Sequence, residues 1–195
     1  MKFAIIGLAL LLMAGSLNAG NNPDFKVAVH VLPHDPDRSC QDRMPEISSV
    51  DDIQTTYPGC GEIDFFPVFY GLNEYQGIEY AVTWPGSSSC VFVACSYGHM
   101  GEIIWPGDWI SHVWDECMPG PIAIPGWGRI VVEEPGRICV VNGGASNSIT
   151  VGDCNAVLDH TTASYCAGVC GAQGDKPGGT TTGPTKWGAI KRMFR

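Results

Sequence analysis

Short runs of apolar residues, many of them alternating with polar ones, recur along most of this chain. Every second residue from Phe25 to Val31 is apolar, which predicts a strand over residues 25–32 with one face in a core. Nine more short runs are rich in β-branched and aromatic residues: Ile63 to Tyr70, Ile78 to Trp84, Val91 to Cys95, Glu102 to Trp105, Trp109 to Trp114, Ile122 to Ile124, Arg129 to Val132, Ile138 to Val141 and Ile149 to Val151. The pattern therefore predicts about ten short strands.

Turn sequences rich in proline and glycine separate these runs, as at Tyr57 to Gly59 and Trp84 to Gly86. No long helical period lies between the runs, which disfavours a parallel α/β fold. We expect a short helix only within Asp153 to Val169. The sequence thus predicts an all-β protein, a disulfide-stapled antiparallel β-sandwich of jelly-roll or immunoglobulin-like type over residues 20–170.

The first 19 residues have the order of a secretory signal peptide. Lys2 is followed by an apolar run from Phe3 to Met13 and by small residues up to Ala19. The apolar run is only ~10 residues long, too short to cross a bilayer comfortably, and no later run approaches the ~20 residues of a membrane helix. We predict a signal peptide over residues 1–19 and a protein that is secreted or extracellular at the cell surface.

Nine cysteines fit an oxidising compartment, where thiols persist as disulfides: Cys40, Cys60, Cys90, Cys95, Cys117, Cys139, Cys154, Cys166 and Cys170. Spacing makes three local pairs the candidates: Cys40–Cys60, Cys139–Cys154 and Cys166–Cys170. Cys90 and Cys95 would face opposite sides of one strand, so Cys117 is a natural partner for one of them. Eight cysteines alone allow about 105 connectivities, so the pairing stays open.

The charge of the chain is lopsided. All 20 acidic residues lie between Asp24 and Asp175, and the body from Gly20 to Thr185 has six basic residues, for a net charge of −14. Such a surface repels nucleic acids and other anionic polymers, so we expect no nucleic-acid binding.

The C-terminal part differs in composition from the body. Residues 171–185 are dominated by Gly, Thr and Pro, which predicts a flexible linker. Residues 186–195 then form a short basic amphipathic tail, with Trp187, Ile190 and Phe194 at helical spacing and basic residues such as Lys191 and Arg192 opposite. We expect this tail to dock onto a secretion machine, a surface or a partner, or to contact an anionic membrane weakly, with a disordered end as the simpler interpretation.

Aromatic residues crowd the middle of the body: Trp84, Trp105, Trp109, Trp114, Trp127, Tyr75, Tyr80 and Tyr97. We expect most of them in the core. Trp105 and Trp109 flank a turn that contains Asp108, and exposed indoles beside a carboxylate suit the hydroxyl-rich face of a sugar. Trp105, Asp108 and Trp109 are therefore the candidate carbohydrate-binding residues.

The sequence offers candidate ligands for two metals, calcium and zinc. Acidic loops, such as His34 to Asp37 and Asp51–Asp52, contain the oxygen ligands of calcium, but no complete EF-hand loop is present. Structural calcium is thus a candidate, with solvated acidic loops as the simpler interpretation. Cys166, Cys170 and His160 are ligand types for zinc, although a disulfide is the favoured interpretation in an oxidising compartment.

Sequence motifs give little support to catalysis. The chain lacks Gly-x-Ser-x-Gly, His-Glu-x-x-His and a phosphate-binding loop. A glycan hydrolase would need two converging carboxylates, for which Asp108 and Asp115 are candidates. Because 20 acidic residues bring some pair together in any fold, their number is no sign of an active site. We favour a protein that is not an enzyme.

Parts of the sequence resemble two known kinds of protein. The run from Ile63 to Trp84 and the Trp-Gly-x-Ile-Lys pattern of residues 187–191 resemble uncharacterised secreted cysteine-rich bacterial β-sandwich proteins. The strand Gly77 to Val82 resembles the cohesin-type jelly-roll pattern, in which a strand follows a turn that contains glycine. Neither resemblance implies catalytic residues. The expected function is a non-catalytic extracellular binding or structural module, with carbohydrate binding as the alternative and a carboxylate-dependent glycan hydrolase third.

Overall fold

The computed structural model describes residues 20–37, 44–85, 89–93, 102–104, 109–144 and 146–178, with the backbone alone at 89–93 and 102–104. These residues form two β-sheets and a short 3-10 helix at Val50–Asp52. The strands, in chain order, are β1 Lys26–Pro33, β2 Thr56–Tyr57, β3 Gly61–Tyr70, β4 Glu74–Thr83, β5 Ser89–Val93, β6 Glu102–Ile104, β7 Ile110–Pro119, β8 Ile122–Ala123, β9 Trp127–Val132, β10 Gly136–Val141, β11 Ile149–Gly152, β12 Leu158–Thr161, β13 Ser164–Tyr165 and β14 Ala167–Val169.

The two sheets form a sandwich. The six-stranded sheet has the order β13-β1-β3-β9-β5, with β8 paired to β3. The eight-stranded sheet has the order β12-β11-β4-β10-β14-β2, with β7 joining β4 to β6. Most neighbours are antiparallel, whereas β13 is parallel to β1 and β2 is parallel to β14. The predicted all-β sandwich is confirmed, and each predicted apolar run overlaps a strand.

The main core lies between the sheets. Phe25, Val27, Val29 and Val31 are all buried there, as the alternation in this segment predicts. Residues of β3 and β9 join them from the same sheet, and residues of β4, β7, β10, β11 and β14 pack against them from the other. Burial of these apolar side chains, each contributing about 1.5–3 kcal/mol, is the main stabilising term of the sandwich.

A second apolar layer covers the outer face of the six-stranded sheet. Phe66, Val68 and Trp127 of this face are buried beneath the segment 44–53, which supplies Met44 and Ile53. Both faces of β1 and β3 are therefore covered, so these strands lack the polar outer face that antiparallel sheets often present to water.

The helix expected within Asp153 to Val169 is wrong. This stretch contains β12, β13 and β14. Strand β12 pairs with β11 from Leu158 to Thr161, and β14 pairs with β10 through Ala167 to Val169. All three strands are too short to stand out as apolar runs, and β12 and β13 are also polar, so neighbouring strands supply the hydrogen bonds that hold them.

Among the residues that the structure describes, three disulfides connect distant parts of the sandwich. They are Cys60–Cys170, Cys117–Cys154 and Cys139–Cys166, with Cα–Cα distances of 4.4, 5.3 and 4.4 Å. Cys139 and Cys166 face each other across β10 and the start of β14, because the register pairs Ile138 with Ala167. Distances in this range are normal for disulfides.

The candidate pairs drawn from spacing are all wrong. Cys60 bonds Cys170 rather than Cys40, and Cys139 bonds Cys166 rather than Cys154. Cys117 bonds Cys154, which leaves neither Cys90 nor Cys95 as its partner. The zinc interpretation of Cys166 and Cys170 is also overturned, since both sulfurs are oxidised in separate disulfides. Cys40 and Cys95 lie outside the described residues, as does the side chain of Cys90.

Residues 171–178, at the start of the predicted linker, contact the sandwich. Asp175 forms an ion pair with Arg137, and its carboxylate accepts the N–H of Cys166 at 2.8 Å. The N–H of Gly174 donates to Thr56 Oγ1 at 3.1 Å, and Pro177 is buried. The rest of the predicted linker and the tail 186–195 lie outside the described residues. In the described part of the chain, no helix is long and apolar enough to cross a membrane.

Candidate functional site

An apolar groove of about 240 Å³ lies where the two sheets approach each other beneath the segment 44–53. Strands β4 and β7 supply one wall, β8 and the residue after it supply the other, and the segment 44–53 covers the groove. The lining residues are Pro45, Glu46, Ile47, Tyr75, Trp114, Met118, Ile122 and Ile124. Both apolar clusters of the fold contribute to this lining, so the groove is continuous with the packed interior.

A bulge in β7 shapes the wall of the groove. Tyr75 pairs with Met118, but the next pair along is Gly77 with Val113, so four residues of β7 oppose a single residue of β4. Bulges re-aim side chains relative to a regular strand. The Cys117–Cys154 disulfide lies within this irregular stretch and ties it to the turn after β11. The wall that contains Trp114 and Met118 is thus covalently fixed.

The turn between β7 and β8 carries the chain from one sheet to the other. Gly120 donates its N–H to the carbonyl of Asn73 at 2.8 Å, and Leu72 donates to the carbonyl of Pro121 at 3.2 Å. A Cβ atom at position 120 would lie only 2.1 Å from the Leu72 carbonyl oxygen. Glycine is therefore required where this turn passes the β3–β4 connection, and the turn positions Ile122 at the groove.

A series of packed rings runs from the groove into the core. Tyr75 packs edge-on against Trp114 with ring centroids 5.1 Å apart, and Trp114 stacks on His112 at 5.9 Å. His112 in turn stacks on Tyr80 at 5.9 Å with the rings nearly parallel. Contacts of this kind fix ring orientation as well as contributing about 0.5–1.5 kcal/mol per pair. The aromatic wall of the groove is therefore rigid.

The polar atoms of this ring series are neutral at pH 7. Burial lowers the pKa of His112 to about 4, and it raises the pKa values of Tyr80 and Tyr75 above their ordinary range. The Tyr80 hydroxyl lies 3.3 Å from His112 Nε2, within hydrogen-bonding distance. No charge is thus placed behind the apolar wall.

The segment that covers the groove is held at several points. Met44 and Ile53 anchor its two ends in the outer apolar layer. The Asp52 carboxylate accepts the backbone N–H groups of Ser48 at 3.0 Å and Ser49 at 2.8 Å. The pKa of Asp52 is lowered by these hydrogen bonds, and the largest effect comes from the hydroxyl of Ser48. Glu46 is exposed and stands at the edge of the groove.

A second buried histidine lies on the far side of the six-stranded sheet. His30 packs against Phe66 with ring centroids 5.9 Å apart, and its Nδ1 accepts the N–H of Gln54 at 2.9 Å. Burial lowers the pKa of His30 to about 4. An accepting Nδ1 requires an unprotonated nitrogen, so the hydrogen bond and the pKa direction agree. This histidine is a structural part of the outer layer.

A cluster of a histidine and two acids lies beyond the end of β1. His34 Nδ1 is 2.9 Å from Asp64 Oδ1, and His34 Nε2 is 3.4 Å from Glu62 Oε2. Both ring nitrogens face carboxylates, so neither is directed at a neighbouring nucleophile. This arrangement connects β1 to β3 and gives no indication of catalysis.

Metal ligands are not gathered into a credible site among the described residues. One group there brings its ligand atoms within 4.8 Å of one another: Glu74, Cys117 and Cys154. The two sulfurs of this group are joined in a disulfide, so they offer no thiolate to a metal. Structural calcium at the acidic loops stays a prediction.

Of the three predicted sugar-binding residues, the structure describes one. Trp105 and Asp108 lie outside the described residues, whereas Trp109 is half-buried just before β7. Asp115, the other carboxylate of the proposed hydrolase pair, is exposed on β7. Carbohydrate binding through Trp105, Asp108 and Trp109 thus stays a prediction. The tail residues Trp187, Ile190, Lys191, Arg192 and Phe194 also lie outside the described residues.

Sequence reasoning missed the groove. Tyr75 and Trp114 belong to the noted aromatic cluster, but nothing local in the sequence connects them to Pro45 or Ile122. The apolar run that begins at residue 109 ends at Trp114, and Asp115 and Glu116 separate it from Met118, so no local pattern marks the groove.

Comparison with known proteins gives no family. No protein-family model matches the chain, and no curated protein matches it. Among solved structures, the chain is similar to a cohesin module from the Clostridium perfringens ATCC13124 family 33 glycoside hydrolase, with 10% identity and a TM-score of 0.45. This likeness covers 62% of the chain and 91% of that module. At this identity and TM-score, the likeness carries no functional assignment.

Proposed function

We propose that this protein is a non-catalytic extracellular binding module, and that its groove binds a segment of another extracellular protein. The segment would place an apolar side chain in the groove and a basic residue beside Glu46. The observation that supports this proposal most directly is the rigid aromatic groove lined by Tyr75, Trp114 and Met118.

The size of the groove favours an anchoring side chain over a whole small molecule. Its volume of about 240 Å³ is below the roughly 300–1,000 Å³ of typical small-molecule sites. One large apolar side chain, or two small ones, fills such a space. Binding energy at protein interfaces is concentrated in anchors of this kind, which enter well-packed pockets.

Charge favours a basic partner. Glu46 is exposed at the edge of the groove, and the body from Gly20 to Thr185 has a net charge of −14. A field of this sign accelerates association with basic segments and repels acidic ones. A segment with lysine or arginine next to its apolar anchor is therefore the best match.

The rigidity of the groove adds to affinity. Trp114 is held between Tyr75 and His112, and the neighbouring Cys117–Cys154 disulfide fixes the bulge. A site that is ordered before binding avoids part of the entropy cost of ordering side chains, about 0.5–1.5 kcal/mol for each flexible one.

An extracellular location fits the covalent structure. Three disulfides join strands and turns that are 27 to 110 residues apart in sequence. Such bonds persist outside the reducing cytosol. The predicted signal peptide over residues 1–19 points the same way.

Selection from a random peptide display library tests the proposal. We expect the full exported protein to enrich peptides that combine an aromatic or large aliphatic residue with lysine or arginine. The Glu46→Lys variant should lose the preference for basic residues, and Met118→Ala should weaken binding of the enriched peptides. Both positions are partly or fully exposed, so these variants should fold.

A matched control comes from the opposite end of β4. Trp84 is 42% exposed and follows β4 at the end remote from Tyr75, about 30 Å away along the strand. The Trp84→Ala variant should bind the selected peptides as the unmodified protein does. If no peptide is enriched, or if Met118→Ala and Glu46→Lys bind as well as Trp84→Ala, the groove is not the binding site.

The tail supplies a separate part of the proposed function. We propose that residues 186–195 attach the module to a secretion machine, a surface or a partner, since their basic charge opposes that of the body. Deleting them should release the protein from the fraction of the culture in which the full chain is found. An unchanged distribution after the deletion contradicts this role.

A further inference from the structure

The residues that follow the predicted leader are bound by acidic side chains of the sandwich. Gly20 donates its backbone N–H to Asp159 Oδ1 at 2.9 Å, and Asn22 donates to Asp159 Oδ2 at 2.7 Å. Asn21 donates to Asp153 Oδ2 at 3.2 Å. Three successive N–H groups thus point at two carboxylates that lie more than 130 residues away.

These contacts form a site with little room. Asp159 is 6% exposed and Gly20 is itself buried. A Cβ atom at position 20 would lie 2.3 Å from Asp159 Oδ2. The Asn22 side chain completes the site, because its amide donates to the Glu74 carbonyl at 2.8 Å and accepts the Asn73 N–H at 2.8 Å. Only glycine places its nitrogen this close to the carboxylate without a clash.

The acidic site has an excess of negative charge. Asp153 has an internal role, since its Oδ1 accepts the N–H groups of Asn155 and Val157 in the turn after β11. Asp159 has no such role, and among the described residues no lysine, arginine or histidine forms an ion pair with it. A buried carboxylate without a cation is costly, because neutral N–H groups replace only part of its hydration.

From this geometry we propose that Asp159 is the receptor for the mature N-terminus, created by cleavage between Ala19 and Gly20. Hydrolysis by a processing peptidase adds the hydroxyl of water to the Ala19 carbonyl and a proton to the Gly20 nitrogen. That nitrogen takes a further proton from solvent and becomes an ammonium group. The bond to Asp159 then changes from a hydrogen bond between a neutral donor and a charged acceptor to a buried ion pair, so removal of the leader completes the fold.

The first test is the mass of the exported protein, which should begin at Gly20. The second compares two chains released from the same cleavable fusion, one beginning at Gly20 and one retaining Ala19. Retention of Ala19 keeps the donor to Asp159 neutral and so removes the attraction between two opposite charges, which should reduce the folding equilibrium constant about fivefold. A start at another residue, or equal stability of the two chains, overturns the proposal.

A variant separates the ion pair from other effects of an added residue. In an Asp159→Asn background, the chains with and without Ala19 should be equally stable; an undiminished difference overturns the proposal. If that variant does not fold, titration of the ¹⁵N-labelled Gly20 amine in the unmodified mature protein decides. Its pKa should lie above the ordinary value of about 7.7, because the carboxylate favours the ammonium form, and an ordinary or lower value contradicts the ion pair.

Discussion

Two buried histidines among the described residues, His30 and His112, make the fold sensitive to mild acid. Burial lowers the pKa values of His30 and His112 from 6.5 to about 4. Between these values the unfolded chain binds protons that the folded chain excludes, so stability is complete above pH 6.5 and falls as pH decreases towards 4. At pH 4.5 this linkage removes about 2–3 kcal/mol per histidine, or roughly 5 kcal/mol for both, against a total stability of about 5–15 kcal/mol.

The choice of pH 4.5 separates the histidines from the carboxylates. Desolvation acts to raise the pKa of Asp153, but the backbone hydrogen bonds from Val157, Asn155 and Asn21 together outweigh it and lower the pKa from 3.8. A carboxyl of this kind is largely ionised in both the folded and the unfolded state at pH 4.5, so it adds little to the loss of stability at that pH. Urea unfolding followed by tryptophan fluorescence, with disulfides intact, measures stability at pH 7.5 and 4.5.

Matched variants assign the acid effect. In His112→Phe, which keeps an aromatic ring between Trp114 and Tyr80, the stability lost from pH 7.5 to 4.5 should be about 2–3 kcal/mol smaller than in the unmodified protein. Tyr80→Phe removes the hydroxyl beside His112 and keeps both histidines, so its acid loss should be unchanged. Equal stability of the unmodified protein at the two pH values, or a full acid loss in His112→Phe, refutes this reasoning.

Three further outcomes follow from the covalent and steric constraints. Replacing both Cys60 and Cys170 by serine should lower the free energy of unfolding by up to about 4.8 kcal/mol, because this disulfide closes a loop of 110 residues. Replacing Cys139 and Cys166 should lower it by about 3.6 kcal/mol, because that loop has 27 residues. If denaturant unfolding gives the reverse order, the loop-entropy argument is contradicted. Gly128→Ala should destabilise by about 1–3 kcal/mol because its Cβ would lie 2.2 Å from the Phe65 ring, whereas Gly77→Ala, with 3.7 Å to its nearest neighbour, should be tolerated. Gly120→Ala should lower the thermal midpoint more than either, since the clash is with backbone rather than a side chain.

Strand positions were predictable because their signal is local. In β1, alternation from Phe25 to Val31 identifies the inner face, and all four apolar residues of that alternation are buried. The opposite face of β1 was not predictable, since its burial depends on Met44 and Ile53 folding back from a segment with no periodic pattern. Strands β12 to β14 were missed for a related reason: Asp159, His160 and Thr161 form a strand only because β11 offers them partners.

The disulfides and the groove depend on register, which sequence spacing does not supply. Cys139 meets Cys166 because β10 and β14 are antiparallel with Ile138 opposite Ala167. The groove requires the bulge between the Tyr75–Met118 and Gly77–Val113 pairs, together with the turn at Gly120. The cysteine pairs predicted from sequence spacing close short loops, whereas the observed disulfides join cysteines 27 to 110 residues apart.

The most direct test of a protein-binding groove is a nuclear magnetic resonance titration of the isoleucine methyl groups with a display-selected peptide. Ile47, Ile122 and Ile124 line the groove, while Ile138 and Ile149 lie in the main core and serve as internal references. We predict saturable shifts at the three groove residues, small changes at the references, and loss of the shifts in Met118→Ala. Shifts centred on another surface, or none at peptide concentrations that saturate binding, would contradict the proposed function.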